Sequence, residues 1–312
     1  MINRRHIRVK VMQSVYAMVQ SHNDDVVKEE KFVKHSIKKM FDLYALLLHL
    51  LVEVQKLAEE KLEISKKKYL ATKEDLAPNT KFINNKLIKK IADSNSLLLH
   101  LEAQKLNNWT LDDEYVKIIW DKLQKSELYT RYLDTVEDSY KVDKSFVIDF
   151  FKEIIAPNEK LSEYFEDTNI TWVDDIPFVN TWVVRTLNKQ NTNGSFLLGS
   201  LYKNQDDEDF VTEIFRKVML NHHKFEEDIK NHTPNWESDR IADMDMILIK
   251  MGACEFLHFP SIPTRVTINE YIEIAKDYST QKSGYFVNGV LDKLSKEYLQ
   301  SKRLVKVGRG LL

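Results

Sequence analysis

The chain has 312 residues, 43% hydrophobic and 30% charged, with a formal net charge of -2. No run of about 18 apolar residues is present, which argues against a membrane span, and a single cysteine excludes an internal disulfide framework. Seven glycines and six prolines among abundant Leu, Lys, Glu and Ile favour an all-α protein, and the near-neutral balance confines any nucleic-acid contact to a local patch.

Residues 3–21 read as a helix in which Ile7, Val11, Val15 and Met18 recur at spacings of four and three, with Met12, Tyr16 and Val19 widening the stripe. Arg4, Arg8 and Gln13 fall off that stripe. No acid occurs from Met1 to Asn23, whereas Arg4, Arg5, Arg8 and Lys10 do, so this end is locally basic. It has no apolar signal core, and the chain reads as cytoplasmic. A long helical stretch follows from about Phe32 to Tyr69, and its basic run Ser65–Lys68 reads as a solvated face. A loop at 72–86 carries the turn signal Pro78-Asn79, and further helices are expected near 86–107, 112–125, 127–140 and 143–155. Residues 207–231 predict a helix with Phe210, Ile214, Phe215 and Val218 inward. Ser238 is the expected N-cap of a helix to about Phe259 that carries Ile241 and Met244. Within it Cys254 reads as core, and Gly252-Ala253 as a point of close helix approach.

Residues 146–175 echo residues 210–239 at an offset of 64. Phe146, Val147, Phe151, Lys160, Glu163, Trp172 and Asp175 recur as Phe210, Val211, Phe215, Lys224, Glu227, Trp236 and Asp239. Two readings stand open: a duplicated helical unit, or two amphipathic helix pairs alike by pattern.

The C-terminal third carries the most specific pattern. Thr267-Ile268-Asn269-Glu270 has the form of a capping box, so Thr267 is expected to start a helix. Phe286-Val287-Asn288-Gly289-Val290-Leu291-Asp292-Lys293 opens the last helix after a break at Gly284, and helical spacing places Asn269, Glu270 and Asn288 among inward positions. A buried polar side chain needs a partner, since an unpaired one costs about 1–3 kcal/mol. The stretch from Ile268 to Lys276 together with Phe286–Lys293 closely resembles the C-terminal signature of the NusB family. The segment Arg4-Arg5-His6-Ile7-Arg8 through Gln13, Tyr16 and Gln20 resembles the arginine-rich first helix of that family, with His6 where a third arginine is common. Residues 1–30 and 206–300 are thus expected to form a NusB-like helical bundle. Residues 31–205 would be an inserted helical region, and 301–312 a basic, disordered tail.

The resemblance implies a non-enzymatic RNA-binding factor in transcription antitermination. It would bind single-stranded boxA-type RNA of ribosomal RNA transcripts with NusE, a ribosomal protein, within an RNA polymerase antitermination complex. By motif position, Arg4, Arg5, Arg8, Lys250 and the turn Lys282-Ser283-Gly284-Tyr285-Phe286 fall on the RNA side, and Tyr16 and Asp245 face NusE. Guanidinium groups suit phosphates, and aromatics suit splayed bases. An enzyme is the first alternative: some ribosomal RNA methyltransferases carry a NusB-like domain beside a Rossmann-like one. No Gly-rich turn, Gly-x-Ser-x-Gly, His-Glu-x-x-His or Cys-x-x-Cys occurs here, and His222-His223 has no third ligand, so no cofactor or metal is expected. The second alternative is a helical protein–protein adaptor without RNA specificity of its own.

Overall fold

The computed structural model describes residues 1–67, 69, 72, 76–232 and 242–311. Among them are fifteen α-helices and no strand. The chain divides into two compact units, Met1–Ile37 with Leu201–Leu312, and Lys38–Ser200.

The first unit begins with α1 (Arg4–Ser21), capped by the Asn3 side chain accepting from the His6 N–H and closed at His22 in the left-handed region. The N-terminal part of α2 (Val26–Lys66) follows. The chain returns as α11 (Gln205–Leu220), α12 (His222–His232), α13 (Asp243–His258), α14 (Thr264–Tyr278) and α15 (Ser283–Gln300). The central element is α13, in which every residue from Ile247 to Phe256 is buried. A helix covered on all sides needs apolar residues around its whole circumference. Its neighbours are α1, α11, α12, α14 and α15. Gly252 lets α15 come close, because a Cβ there would stand 2.6 Å from a methyl of Leu291. Cys254 is core, and burial pushes its thiol up.

Four expectations in this unit need correction, and a fifth falls on residues outside those described. Ser238 and Ile241 lie outside the described residues, and α13 begins at Asp243. Thr267 is not a cap: α14 begins at Thr264, directly after Pro263, and Thr267 is buried with its hydroxyl donating to Glu255. Gly284 does not break the helix pair but sits in the first turn of α15. Asn269 and Asn288 are exposed, and only Glu270 among the three polar positions has turned toward a partner. Nor is the tail free. Residues 303–310 lie against the bundle through Arg303, Lys306, Val307 and Gly310, because each finds a specific acceptor or a close seat there.

The second unit holds the remainder of α2 and eight helices: α3 (Lys86–Ala92), α4 (Asn95–Gln104), α5 (Asn108–Leu111), α6 (Asp113–Gln124), α7 (Glu127–Asp134), α8 (Tyr140–Phe150), α9 (Glu159–Thr168) and α10 (Ile176–Lys189). The helix expected over 86–107 is two, parted at Ser94, whose hydroxyl caps Leu97 and donates to the Phe196 carbonyl. The core is aromatic. Tyr132 stacks on Phe146 at 3.8 Å, and Tyr44 stacks on Trp182 at 4.3 Å.

Candidate nucleic-acid interface

Each of the three arginines expected at the front of α1 has a carboxylate. Arg4 Nε donates to Asp207 of α11 at 2.7 Å, and its guanidinium lies over the Phe210 ring. Arg5 forms a two-pronged pair with Glu270 of α14, 3.0 Å at both contacts. Arg8 donates to Glu255 of α13 at 2.5 and 2.9 Å. The side chains of Arg4 and Arg5 are 34% and 40% exposed, that of Arg8 only 3%.

Arg8 is therefore a core residue. Glu255, fully buried, also accepts from the Thr267 and Tyr271 hydroxyls at 3.1 and 2.7 Å. Burial alone would disfavour the Arg8 charge, but Glu255 more than compensates and holds the guanidinium pKa above its usual value. Burial and the same carboxylate push the Tyr271 hydroxyl well up, so it stays a donor. This network joins α1, α13 and α14.

Lys250 is likewise interior. Its ammonium donates to Glu226 and approaches His222 Nε2, both at 2.9 Å. His222 must then be neutral to accept, and burial with the neighbouring Lys250 charge lowers its pKa to about 4. Asp245, expected on a partner-facing surface, is 5% exposed. It accepts from Ser279 and Ser283 at 2.7 and 2.8 Å and so staples the α14–α15 turn. Ser283 and Gly284 are buried by that staple and by the packing of the turn on α14. The turn leaves Lys282 exposed, Tyr285 84% exposed and Phe286 half-buried. Tyr16, on α1, is 37% exposed.

The structure thus brings Arg4 and Arg5 together at one mouth, a cavity of about 760 Å³ whose walls include Asn3, His6, Glu270 and Arg309. It does not bring the turn 282–286 into that cavity. The turn is stapled to Asp245, about 15 Å of helix from the Glu255 that holds Arg8. Asp207, Glu255 and Glu270 were absent from the residues expected at the site, and Arg309 was expected only as part of a disordered basic tail adding weak charge to RNA binding. Glu255 had a visible signal, an acid inside the apolar run Met251-Gly252-Ala253-Cys254-Glu255-Phe256, which calls for a buried cation.

Fold and site together define an all-helical bundle organised around a buried Arg–Glu pair, with partly exposed guanidinium groups at one end. The NusB family model matches residues 179–296. The transcription antitermination protein NusB of Salinibacter ruber is 43% identical over 104 residues, which make up 33% of this chain and 65% of the relative. That of Chloroherpeton thalassium is 42% identical over 33% of this chain and 49% of its own length. That of Finegoldia magna is 39% identical over 30% of this chain and 71% of its own. The chain belongs to the NusB family, as a long variant. It spans 65% and 49% of the length of the first two of these relatives. No solved structure matches it.

Proposed function

We propose that this chain binds single-stranded boxA-type RNA of ribosomal RNA transcripts together with NusE, and so promotes processive transcription within an RNA polymerase antitermination complex. Membership of the NusB family supports the antitermination role. The observation that carries the RNA reading is the pair Arg4 and Arg5, each oriented by one carboxylate and each more than a third exposed on its side chain. A guanidinium has five N–H donors. The bonds to Asp207 and Glu270 use one on Arg4 and two on Arg5, and the rest suit a phosphate. Lys282, Tyr285 and Phe286 form a second contact about 15 Å of helix away, with Tyr285 and Phe286 as stacking platforms for bases. Arg8, Lys250, Asp245, Ser283 and Gly284 act as positioning residues behind these surfaces. Tyr16 is the group proposed to face NusE.

One observation favours the adaptor reading: every arginine of α1 is matched by an acid, which lowers the net field of the helix. The salt dependence of binding separates the two. The Arg4→Ala/Arg5→Ala variant should bind labelled boxA-type RNA, with NusE present, at least several-fold more weakly. Its log–log salt slope should be shallower by about 1.4, from two phosphate contacts at roughly 0.7 each. Unchanged affinity and slope, with helicity intact by circular dichroism, would establish the adaptor. Arg8 is a poor target for that test, because its removal strands a buried carboxylate.

A further inference from the structure

Beyond Gln300 the chain passes out of the residues that the family model matches, yet it remains ordered against the first unit. Arg303 grips Asp228 with both terminal nitrogens, at 3.2 and 2.8 Å, and Tyr298 donates to the same carboxylate at 2.7 Å. The Lys306 ammonium donates to the Glu255 and Phe259 carbonyls at 3.3 and 3.1 Å, which lie at the C-terminal end of α13. Both carbonyls also accept a backbone N–H, from Phe259 and Ile262, and the negative end of the helix dipole favours a cation there. The Val307 N–H donates to the Pro260 carbonyl at 3.0 Å. Gly310 then passes so close to that carbonyl that a Cβ would stand 1.9 Å from the oxygen. Gly308, at φ +53°, sets the turn between them. Successive anchors make residues 303–310 a strap rather than a tail.

The strap delivers Arg309 to the cavity that Arg4, Arg5 and His6 line. Charge matching makes this delivery informative. Arg4, Arg5 and Arg8 are each paired with a carboxylate, and Asp277 adds a further acid to the wall. Arg309 is exposed and has no hydrogen bond or ion pair among the described residues. With Asp277 counted, the charges around this mouth balance, but Arg309 is the lining arginine that no carboxylate holds among the described residues, and it comes from the strap rather than from α1.

We propose that Arg309 is a further RNA-binding residue: it contacts a backbone phosphate of the single strand held at Arg4 and Arg5, and the strap fixes it there before binding. This rests on the RNA-binding reading above. A guanidinium already held at the mouth loses only side-chain freedom on meeting a phosphate, whereas a disordered tail would lose backbone freedom as well. A phosphate contact carries no base information, so its removal lowers affinity for all sequences alike.

The test is fluorescence anisotropy of the full chain with two labelled single-stranded RNAs, one of boxA type and one scrambled, across a salt series. Arg309→Ala is expected to weaken both RNAs about 3- to 10-fold, to leave their affinity ratio unchanged, and to make the log–log slope shallower by about 0.7. Arg309→Lys keeps the slope, since it keeps the charge. Gly310→Ala cannot seat against Pro260 and should reproduce the loss seen in Arg309→Ala. The Arg4→Ala/Arg5→Ala variant is the control for the underlying reading. Normal binding by Arg309→Ala beside a defect in that control overturns the role of Arg309 and leaves the α1 site standing. Normal binding by both variants overturns the RNA site itself. Normal binding by Gly310→Ala beside a defect in Arg309→Ala overturns the fixed strap.

Discussion

The two units share a helical frame but centre it differently. Shifted by 64 residues, α8 with its π-helical end at 151–155, α9 and α10 fall almost on α11, α12 and α13. Phe146, Val147, Phe150, Phe151 and Ile154 are buried, and so are Phe210, Val211, Ile214, Phe215 and Val218 at the same offset. An aspartate is buried in both first helices, Asp143 and Asp207. The first and third helices pack on each other in each unit. These agreements support a duplicated helical unit over a coincidence of amphipathic pattern, since a pattern of apolar residues alone has no need of an interior carboxylate at matching positions. The echo at Trp236 and Asp239 lies outside the described residues.

The contents of the two frames diverge where charge is concerned. Asp207 receives the Arg4 guanidinium, whereas Asp143 receives the Tyr132 hydroxyl at 2.6 Å and the Lys86 N–H at 2.8 Å. Where the first unit has Lys250, the second has Thr186, which accepts from Tyr44 at 2.9 Å beneath the stacked Trp182. Where the first has Glu255, the second has Asn191. One frame is held by interior Arg–Glu and Lys–Glu pairs that position side chains at a surface; in the other, neutral donors meet the buried Asp143 amid aromatic packing. The arginine-lined mouth belongs to the first kind.

Breaking the ion pair should give the largest effect. Glu255→Ala strands Arg8 and removes the acceptor of Thr267 and Tyr271, a loss of about 3–5 kcal/mol. The lower end is expected, because Glu270 remains 3.5 Å from Arg8. Urea unfolding followed by circular dichroism measures it. The double variant Arg8→Met/Glu255→Gln removes both charges and keeps an acceptor, so it should lose less than Glu255→Ala alone. A loss below about 1 kcal/mol for Glu255→Ala would mean that charge does not organise this frame.

A glycine pair sharpens the contrast at an intermediate scale. Gly252→Ala drives a Cβ to 2.6 Å from a Leu291 methyl, and overpacking of a filled core costs about 1–3 kcal/mol. Gly199→Ala, in the second unit, meets Trp182 and Tyr44 at an ordinary 3.6 Å and should be nearly neutral. Equal losses at both positions would show that the close approach of α13 and α15 is not a tight constraint. Smaller still, Tyr44→Phe should cost about 0.5–1.5 kcal/mol by removing the hydroxyl that Thr186 accepts from, and Tyr44→Phe/Thr186→Val should recover part of it. Four of the five tryptophans, Trp109, Trp120, Trp172 and Trp182, fall in the second unit, so fluorescence reports its unfolding.

The helical fold was legible because periodicity is a local property. The span of α1, the break before Pro260 and the close approach at Gly252 all follow from residues a few positions apart. The site was less so. Arg8 shares a helical face with Met12 and Val15, yet its charge suggested solvent. Its partner Glu255 lies 247 positions away, a distance that no helical period reports. Lys250 carried a similar local hint, standing in a run whose every neighbour from Ile247 to Phe256 is buried, while Glu226 is reached only through the packing of α12 on α13. Asp245 had the opposite problem: an acid in the first turn of a helix reads as solvated, and only the fold reveals that Ser279 and Ser283 close over it. The strap was misread because its composition is that of a mobile basic tail, while its anchors are backbone carbonyls and one distant carboxylate.

The last contrast is a pH dependence that divides the units. His222, in the first, has its pKa lowered by burial and by Lys250 from 6.5 to about 4. Between these values the unfolded chain binds a proton that the folded chain refuses, so stability rises with pH there and is lost as pH falls from about 6.5 toward 4. In the second unit, Glu53 is held down by the His49 hydrogen bond, from 4.5 to about 2. Its contribution is complete above pH 4.5 and fades only below it. Moving from pH 7 to pH 5 should therefore loosen the first unit and spare the contribution of Glu53 to the second. Hydrogen exchange measured by mass spectrometry, with rates corrected for the intrinsic effect of pH, should show lower protection in peptides from α12 and α13 at pH 5. Those from the α2 segment around Glu53 should keep theirs. The variant His222→Gln removes the titrating group beside Lys250, and it should flatten the loss in α12 and α13. If that loss persists undiminished in His222→Gln, another group carries it, and the buried Lys250–His222 contact does not make the first unit the acid-sensitive one.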